Sequence, residues 1–350
     1  MRVRVSTSTA GLWAVALSGL ATMFPATALA QTTPRNQRWD ADYRPPVTAT
    51  GHPDLAGNWT NVTITPFQRE EGLEPFYSWD EVNRMEGRAE ATIVSRAQAS
   101  DPDRPPPSAG DSPGGYNNVY IDRGTNIAVV NGEPRTSLLT NPPNGRIPPL
   151  TPIGRQRRAA RAAQRADFAA YDHPELRPLG ERCIVSFGTS MGPPMIPNTF
   201  YNNNYTIVQT EEHVLILAEM VHDYRVIRLG TPDRRLPEHV TPWFGDSWGR
   251  WEGNTLVVET TNLNPDHPFR GMPPSAETTV HERFTRVDDD TILYEFTVDD
   301  PAYTQPWGGQ VPFERFDDLV YEYACHEGNY ALTNIMSGAR YQESQQTSGR

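Results

Sequence analysis

The sequence predicts a mainly β protein whose antiparallel core is barrel-like (lipocalin-like) or a sandwich. Short runs rich in β-branched and aromatic residues recur after residue 182, and polar turns rather than helices separate them. The runs are 205–210, 213–219, 224–229, 255–263, 279–287, 291–299, 310–315 and 319–325. Short strands at this spacing, without intervening helices, are typical of an antiparallel sandwich or barrel.

Two helices are predicted in the N-terminal half of the chain. Ser78-Trp-Asp-Glu81 is a capping box followed by apolar residues at spacings of three and four, so we expect a helix over residues 79–97. Thr151-Pro152 is an N-cap with proline at the first helical position, and it predicts a helix near 152–170. The arginines of this second helix are interpreted as a solvated face.

The predicted organisation has four parts. Residues 1–30 are a signal peptide, and residues 31–115 are an irregular N-terminal arm with the first helix and a weak strand signal from Trp59. Residues 116–340 form the mainly antiparallel β domain, which includes the second helix. Residues 341–350 are expected to be a disordered tail.

Residues 1–30 have the pattern of a secretory signal peptide. Arg2 and Arg4 precede an apolar stretch, and Ala28-Leu29-Ala30 is a small-residue cleavage site. The apolar stretch is short and interrupted, and no later segment is long and apolar enough to span a membrane. We therefore expect a periplasmic or secreted protein without a membrane span.

The composition excludes several classes of protein. All 31 basic residues are arginine, because the chain contains no lysine. Enzymes that form a lysine Schiff base and Walker-type phosphate loops are therefore excluded. The formal net charge of −12 repels nucleic-acid phosphates, so no nucleic-acid partner is expected. No cofactor is expected either.

Cysteine and histidine give a disulfide prediction but no metal motif. Cys183 and Cys325 are the only cysteines, and in an exported protein a disulfide between them is expected. Two free or metal-binding thiols are the alternative. The histidines show no HExxH spacing and the cysteines no Cys-x-x-Cys spacing, so no metal ligands are assigned.

Two Gly-x-Ser-x-Gly matches suggest a serine hydrolase, but their context does not support one. A nucleophile elbow needs a strand before the serine and a helix after it. Pro193-Pro194 follows Ser190, and a strand-like run follows Ser247. The block Gly245–Gly253 is therefore interpreted as an aromatic and charged turn that forms the wall of a pocket.

Acids inside otherwise apolar strands suggest general acid/base chemistry. The acid/base candidates are Glu259, His281 and Glu282, and the candidate anion stabilisers are Arg225 and Arg283. Glu259 shares a strand face with Val257, so pleating allows it to face inward. A position on a solvated outer face is the alternative.

Tryptophans are dense near this block and indicate either core packing or a ligand pocket. Trp243, Trp248 and Trp251 lie close together, and Trp307 follows farther along the chain. Indoles of this kind line sites for sugars, aromatic compounds or lipid-like molecules. The candidate ligand-binding residues are His222, Trp248, Trp251, Glu252 and Trp307.

Several of these segments, taken together, resemble a family of secreted bacterial hypothetical proteins. The resemblance spans about residues 115–340 and is carried by motifs of the form GDSxGxWEGxTLVVxT and EYxCHEGN, which stand here at 245–260 and 322–329. It implies export and a shared fold. It implies no activity, cofactor or site residue.

The leading functional hypothesis is binding of a small organic ligand, aromatic, lipid-like or a sugar, in a Trp-lined pocket. General acid/base turnover of a lyase, isomerase or hydrolase type is open within that hypothesis. One alternative is a non-catalytic envelope assembly protein that forms homo-oligomers. The other is a metal-dependent enzyme.

Overall fold

The computed structural model describes residues 35–99, 103, 121–164, 166–185, 191–197, 203–220, 224–232 and 234–348. All of them belong to one unit of the chain, Thr33–Arg350. The expected signal peptide, residues 1–30, lies outside the described residues. None of the helices in the described part is long and apolar enough to cross a membrane.

The described strands form a closed barrel. In chain order they are β1 (Gly57–Thr60), β2 (Val129–Val130), β3 (Glu133–Pro134), β4 (Leu139–Asn141), β5 (Asn204–Gln209), β6 (His213–Ala218), β7 (Tyr224–Leu229), β8 (Asp246–Glu252), β9 (Thr255–Thr261), β10 (Thr279–Arg286), β11 (Thr291–Asp299) and β12 (Trp307–Arg315). Nine of them, β1 and β5 to β12, follow one another around the barrel, and β12 pairs back with β1 to close it. The predicted barrel is confirmed, and the sandwich is not the fold.

The strand predictions are confirmed except for the last segment. Residues 319–325 form no strand, and Leu319 is 70% exposed. The edges of β12 are occupied by β11 on one side and by β1 and β4 on the other. Each strand of a closed barrel already has a neighbour on both sides, so an additional strand would find no free backbone N–H and C=O groups to pair with. The apolar pattern of 319–325 is therefore not enough to form a strand.

The block Gly245–Gly253 was predicted as a turn, and most of it is strand β8. Residues Asp246 to Glu252 pair with β9 on one side, and Ser247 to Gly249 pair with β7 on the other. The turn is confined to the end of the block, where Gly253 has φ of 58°. The β7–β8 pairing is parallel, unlike the all-antiparallel core expected. Parallel neighbours need a long connection, which explains the segment 230–245 between them.

The helices are α1 (Trp79–Ala97), α2 (Pro152–Ala163) and α3 (Ala331–Ser348). The capping box of α1 is confirmed, as is the proline start of α2. Helix α2 ends at Ala163, earlier than predicted, and farther along the backbone N–H of Ala169 donates to the carboxylate of Asp172 in a turn. Helix α3 covers most of the expected disordered tail, and its described side chains are exposed or half-buried.

The N-terminal arm takes part in the barrel. Its strand β1 closes the sheet and buries Trp59 completely. Residues 191–197, which we name the inner segment, also enter the barrel. They pack Met195 and Ile196 into the same hydrophobic core. The barrel interior is therefore filled by side chains from its strands and by this segment.

Candidate functional site

An aromatic pocket lies at the end of the barrel where β10 and β12 begin and β11 ends. Val280, Val298 and Trp307 line it from these three strands, and Pro193 and Pro194 line it from the inner segment. The room inside it for water-sized molecules is about 50 Å³, and the space between the lining groups rises to about 560 Å³ when the open solvent at its mouth is included. The exposed part of its lining is mostly apolar, as in small-molecule sites.

The connections before β8, after β9 and after β11 complete the pocket. Trp243, His267, Phe269 and Tyr303 add rings to the wall. Phe269 lies 5.3 Å from Trp307 between ring centroids, and Tyr303 meets the same indole edge-on at 5.7 Å. This geometry is favourable for aromatic pairs and fixes the shape of the wall.

Helix α2 braces the rim of the pocket. Arg157 binds the carboxylate of Asp300 at 2.9 Å, and Asp300 also accepts hydrogen bonds from the Thr278 hydroxyl and the Ala302 backbone. The absence of a side chain at Gly154 lets the helix touch Ala302, since a Cβ there would lie 2.2 Å from the Ala302 carbonyl oxygen. Asp300 therefore has partners for its charge and acts as an anchor for the rim.

Two residues that line the pocket carry buried hydrogen-bond donors. The indole of Trp307 is 0% exposed, and its Nε1–H has no hydrogen-bond partner among the described residues. Leaving a buried donor unsatisfied costs about 1–3 kcal/mol. Burial, with a contribution from Asp300, raises the pKa of Tyr303 to about 12, so its hydroxyl remains a protonated donor at neutral pH.

A buried polar cluster lies beneath the pocket. Val280 lines the pocket, and Glu282, two residues later on the same face of β10, forms a two-pronged ion pair with Arg225. Arg225 also donates to Ser247 at 3.0 Å and to Thr260 at 2.8 Å. Burial would lower the pKa of Arg225, but the Glu282 carboxylate outweighs it and raises that pKa, so the guanidinium is charged.

Ser247 is part of this cluster and does not have the surroundings of a hydrolase nucleophile. It is 1% exposed, accepts a hydrogen bond from Arg225 and shares one with the hydroxyl of Thr260, rather than bonding to a histidine. The other candidate, Ser190, lies outside the described residues. Arg225 and Glu282 are the two predicted catalytic residues that lie in this buried cluster.

The remaining predicted acid/base residues lie on the outer face of the barrel. Glu259 binds Arg235, and its Oε2 is 3.8 Å from Nδ1 of His281. Arg283 binds Glu252 at 3.1 Å, and hydrogen bonds from Arg283 and Arg250 lower the pKa of Glu252. None of these side chains lines the pocket.

The predicted ligand-binding tryptophans occupy three different places. Trp307 lines the pocket. Trp248 lies on the outer face, where the guanidinium of Arg228 covers its ring at 5.6 Å. Trp251 stacks on His52 with centroids 5.1 Å apart and does not line the pocket. His222 lies outside the described residues.

Sequence reasoning missed several groups that form the pocket. Asp300 and Tyr303 follow β11 directly, and a strand end that carries an acid and an aromatic was a usable signal. Phe269 lies in a loop without a recognisable pattern. The inner segment was noted only as a Pro-Pro sequence that excludes a helix.

Cys183 and Cys325 form the predicted disulfide. Within the described ranges, no group of three or more histidine, cysteine or acidic side chains is placed to hold a metal ion.

Comparison of the chain with protein-family models, with curated proteins and with solved structures finds no match.

Proposed function

We propose that this protein binds a small, mainly apolar organic molecule in the aromatic pocket at the end of the barrel. The observation that carries the proposal is the Trp307 indole N–H, which is buried in the pocket wall without a partner among the described residues. Binding would displace the groups that now cover this nitrogen, so that an acceptor on the ligand satisfies the donor. The best fit is an aromatic ring that bears a carbonyl or ether oxygen.

The surroundings of Trp307 support a ligand of this type. Phe269 and Tyr303 present ring faces or edges to the indole, and Val280 and Val298 add aliphatic surface. Such walls favour planar apolar molecules through dispersion and burial of apolar surface. Asp300 is already paired with Arg157, so the pocket provides no free carboxylate for a cationic ligand.

Binding, rather than turnover, is the function we propose. The acid/base candidates Glu259 and His281 are on the outer face, and Glu282 is held in its ion pair. A general acid or base must come within hydrogen-bond reach of the reacting atom. Export to the periplasm or beyond, and membership of the secreted family that the sequence resembles, remain part of the proposal, and the disulfide is compatible with export.

Ligand-observed NMR with acetophenone tests the proposal. Val298→Phe fills the pocket, and Val208→Phe makes the same change on the exposed face of β5. Acetophenone should bind the wild type and the Val208 variant alike, and the Val298 variant at least about tenfold more weakly, as loss of a small buried contact area implies. Equal binding to both variants would place the ligand elsewhere.

A further inference from the structure

The hydroxyl of Tyr294 connects the buried ion pair to the wall of the pocket. It donates a hydrogen bond to Oε1 of Glu282 at 2.8 Å and accepts one from the backbone N–H of Met195, also at 2.8 Å. Tyr294 and Met195 are both 0% exposed. The contact is therefore shielded from competition with water.

Met195 directly follows the two prolines that line the pocket. Pro193 and Pro194 have no backbone N–H, so the N–H of Met195 is the first backbone donor after this wall. Its hydrogen bond to Tyr294 ties the wall to strand β11. The position of the wall consequently depends on where that hydroxyl is held.

The hydroxyl is held firmly because its acceptor cannot move. Glu282 is fixed by two hydrogen bonds from Arg225, and Arg225 is fixed in turn by Ser247 and Thr260. A charge-assisted, two-pronged pair of this kind restricts the geometry of both groups. The chain of contacts runs from five consecutive strands of the barrel, β7 to β11, to one wall of the pocket.

We propose that Tyr294 is a specificity-determining residue that limits the length of the ligand, an inference that rests on the proposed binding function. By holding Met195, it keeps Pro193 and Pro194 in place as the inner wall. Removal of the hydroxyl leaves the Met195 N–H without its acceptor, and the wall is then favoured to move until that donor finds another. The pocket deepens and admits longer molecules.

Two alkyl phenyl ketones measure this limit. Butyrophenone has two more methylenes than acetophenone, and burying both would strengthen binding about tenfold. In the wild type the wall prevents this, so the two ketones bind with similar affinity. In Tyr294→Phe we expect butyrophenone to bind about tenfold more tightly than acetophenone.

Two further variants make the test specific. Tyr205→Phe removes another fully buried hydroxyl, which contacts Asn61, and should keep the wild-type affinity ratio. Pro194→Ala trims the wall while Tyr294 stays in place, so it should favour butyrophenone and carries the test if Tyr294→Phe does not fold. If the ratio of butyrophenone affinity to acetophenone affinity stays at the wild-type value in whichever of these wall variants folds, the inference is overturned.

The result in the wild type separates this inference from the proposed function. If acetophenone binds in the pocket and the ratio is unchanged by Tyr294→Phe or Pro194→Ala, the binding function stands and the role of Tyr294 is wrong. If neither ketone binds the wild-type protein, both proposals are wrong.

Discussion

Arg225 and Glu282 form an ion pair inside the barrel, and their side chains are only 1% and 0% exposed. They lie on strands β7 and β10, 57 residues apart in sequence. Because both charges have left water, each depends on the other and on the hydroxyls of Ser247 and Thr260 for compensation. The pair is the polar centre of a largely apolar interior.

We predict that Glu282→Gln destabilises the protein by about 3–5 kcal/mol, because it leaves the charge of Arg225 buried without an opposite charge. Urea unfolding followed by circular dichroism measures the change. Glu252→Gln is the matched control, since it breaks an ion pair with Arg283 that lies on the exposed outer face, and it should have little effect. Equal losses from the two variants would contradict a special role for the buried pair.

A second prediction concerns the contact between α2 and the rim of the pocket. Gly154→Ala should destabilise the protein by about 1–3 kcal/mol, because the new Cβ would lie 2.2 Å from the Ala302 carbonyl oxygen. Gly87→Ala makes the same change in α1 at a site with no atom within 4 Å, and it should stabilise by about 0.5–1 kcal/mol. Thermal unfolding of the two variants should therefore shift in opposite directions; a shift in the same direction would show that α2 does not pack as described.

A third prediction concerns the disulfide. It closes a loop between residues separated by 142 positions, so replacing Cys183 and Cys325 together with alanine should cost about 4–5 kcal/mol in the chain-entropy model. Urea unfolding of the double variant, compared with the wild type under non-reducing conditions, measures this. A loss below about 1 kcal/mol would mean that the bond does not restrict the unfolded chain.

The pKa of Tyr303 gives a prediction for alkaline pH. Its pKa is raised from 10.0 to about 12 in the folded protein, so the unfolded chain releases the proton first as the pH rises. The stability that this pKa shift contributes is fully present below pH 10 and is lost between pH 10 and 12. At pH 11 the loss is about 1 kcal/mol. Tyr303→Phe should lose less stability than the wild type between pH 9 and 11, whereas Tyr330→Phe, at an exposed tyrosine, should follow the wild type. Identical curves for all three proteins would show that Tyr303 is not buried against Asp300.

The sequence predicted the local elements well because local signals determine them. The capping box of Ser78 and Glu81 specifies the start of α1, and the aspartates at 288–290 specify the turn between β10 and β11. Runs rich in β-branched and aromatic residues identified most strands. Barrel closure was left open against a sandwich, because the pairing of Trp59 with Arg315 joins residues that no local pattern connects.

The orientation of strand residues was harder to predict. In β9 the residues on both faces are apolar, so the pattern around Glu259 did not show that Val257 and Glu259 face outward while Val258 faces the core. In β10 the reverse holds, and Glu282 points inward between the outward His281 and Arg283. Only cross-strand partners decide between the two faces, and Arg225 is the partner that Glu282 needs.

The pocket was predicted only in part. Trp248, Trp251 and Trp307 were expected to line one pocket, whereas Trp307 lines the aromatic pocket and Trp248 lines a separate one with Arg228. Trp251 lines neither of the two. The wall of the aromatic pocket combines the inner segment with later loops that carry Trp243, Phe269 and Tyr303, so no single stretch of sequence contains its pattern.

The account rests on a hydrogen-bond donor at Trp307 that a ligand acceptor satisfies, and one comparison of ligands tests it most directly. Acetophenone and α-methylstyrene have nearly the same shape, but only acetophenone has an acceptor oxygen. Their affinities for the wild type, Trp307→Phe and Trp59→Phe are measured by ligand-observed NMR. Trp59 is the matched control because its indole N–H is already bonded to the Leu55 carbonyl.

We predict that the wild type and Trp59→Phe prefer acetophenone by about fivefold, which corresponds to about 1 kcal/mol for one neutral hydrogen bond, and that Trp307→Phe shows no preference. A preference that survives in Trp307→Phe, or that is absent from the wild type, would contradict the account.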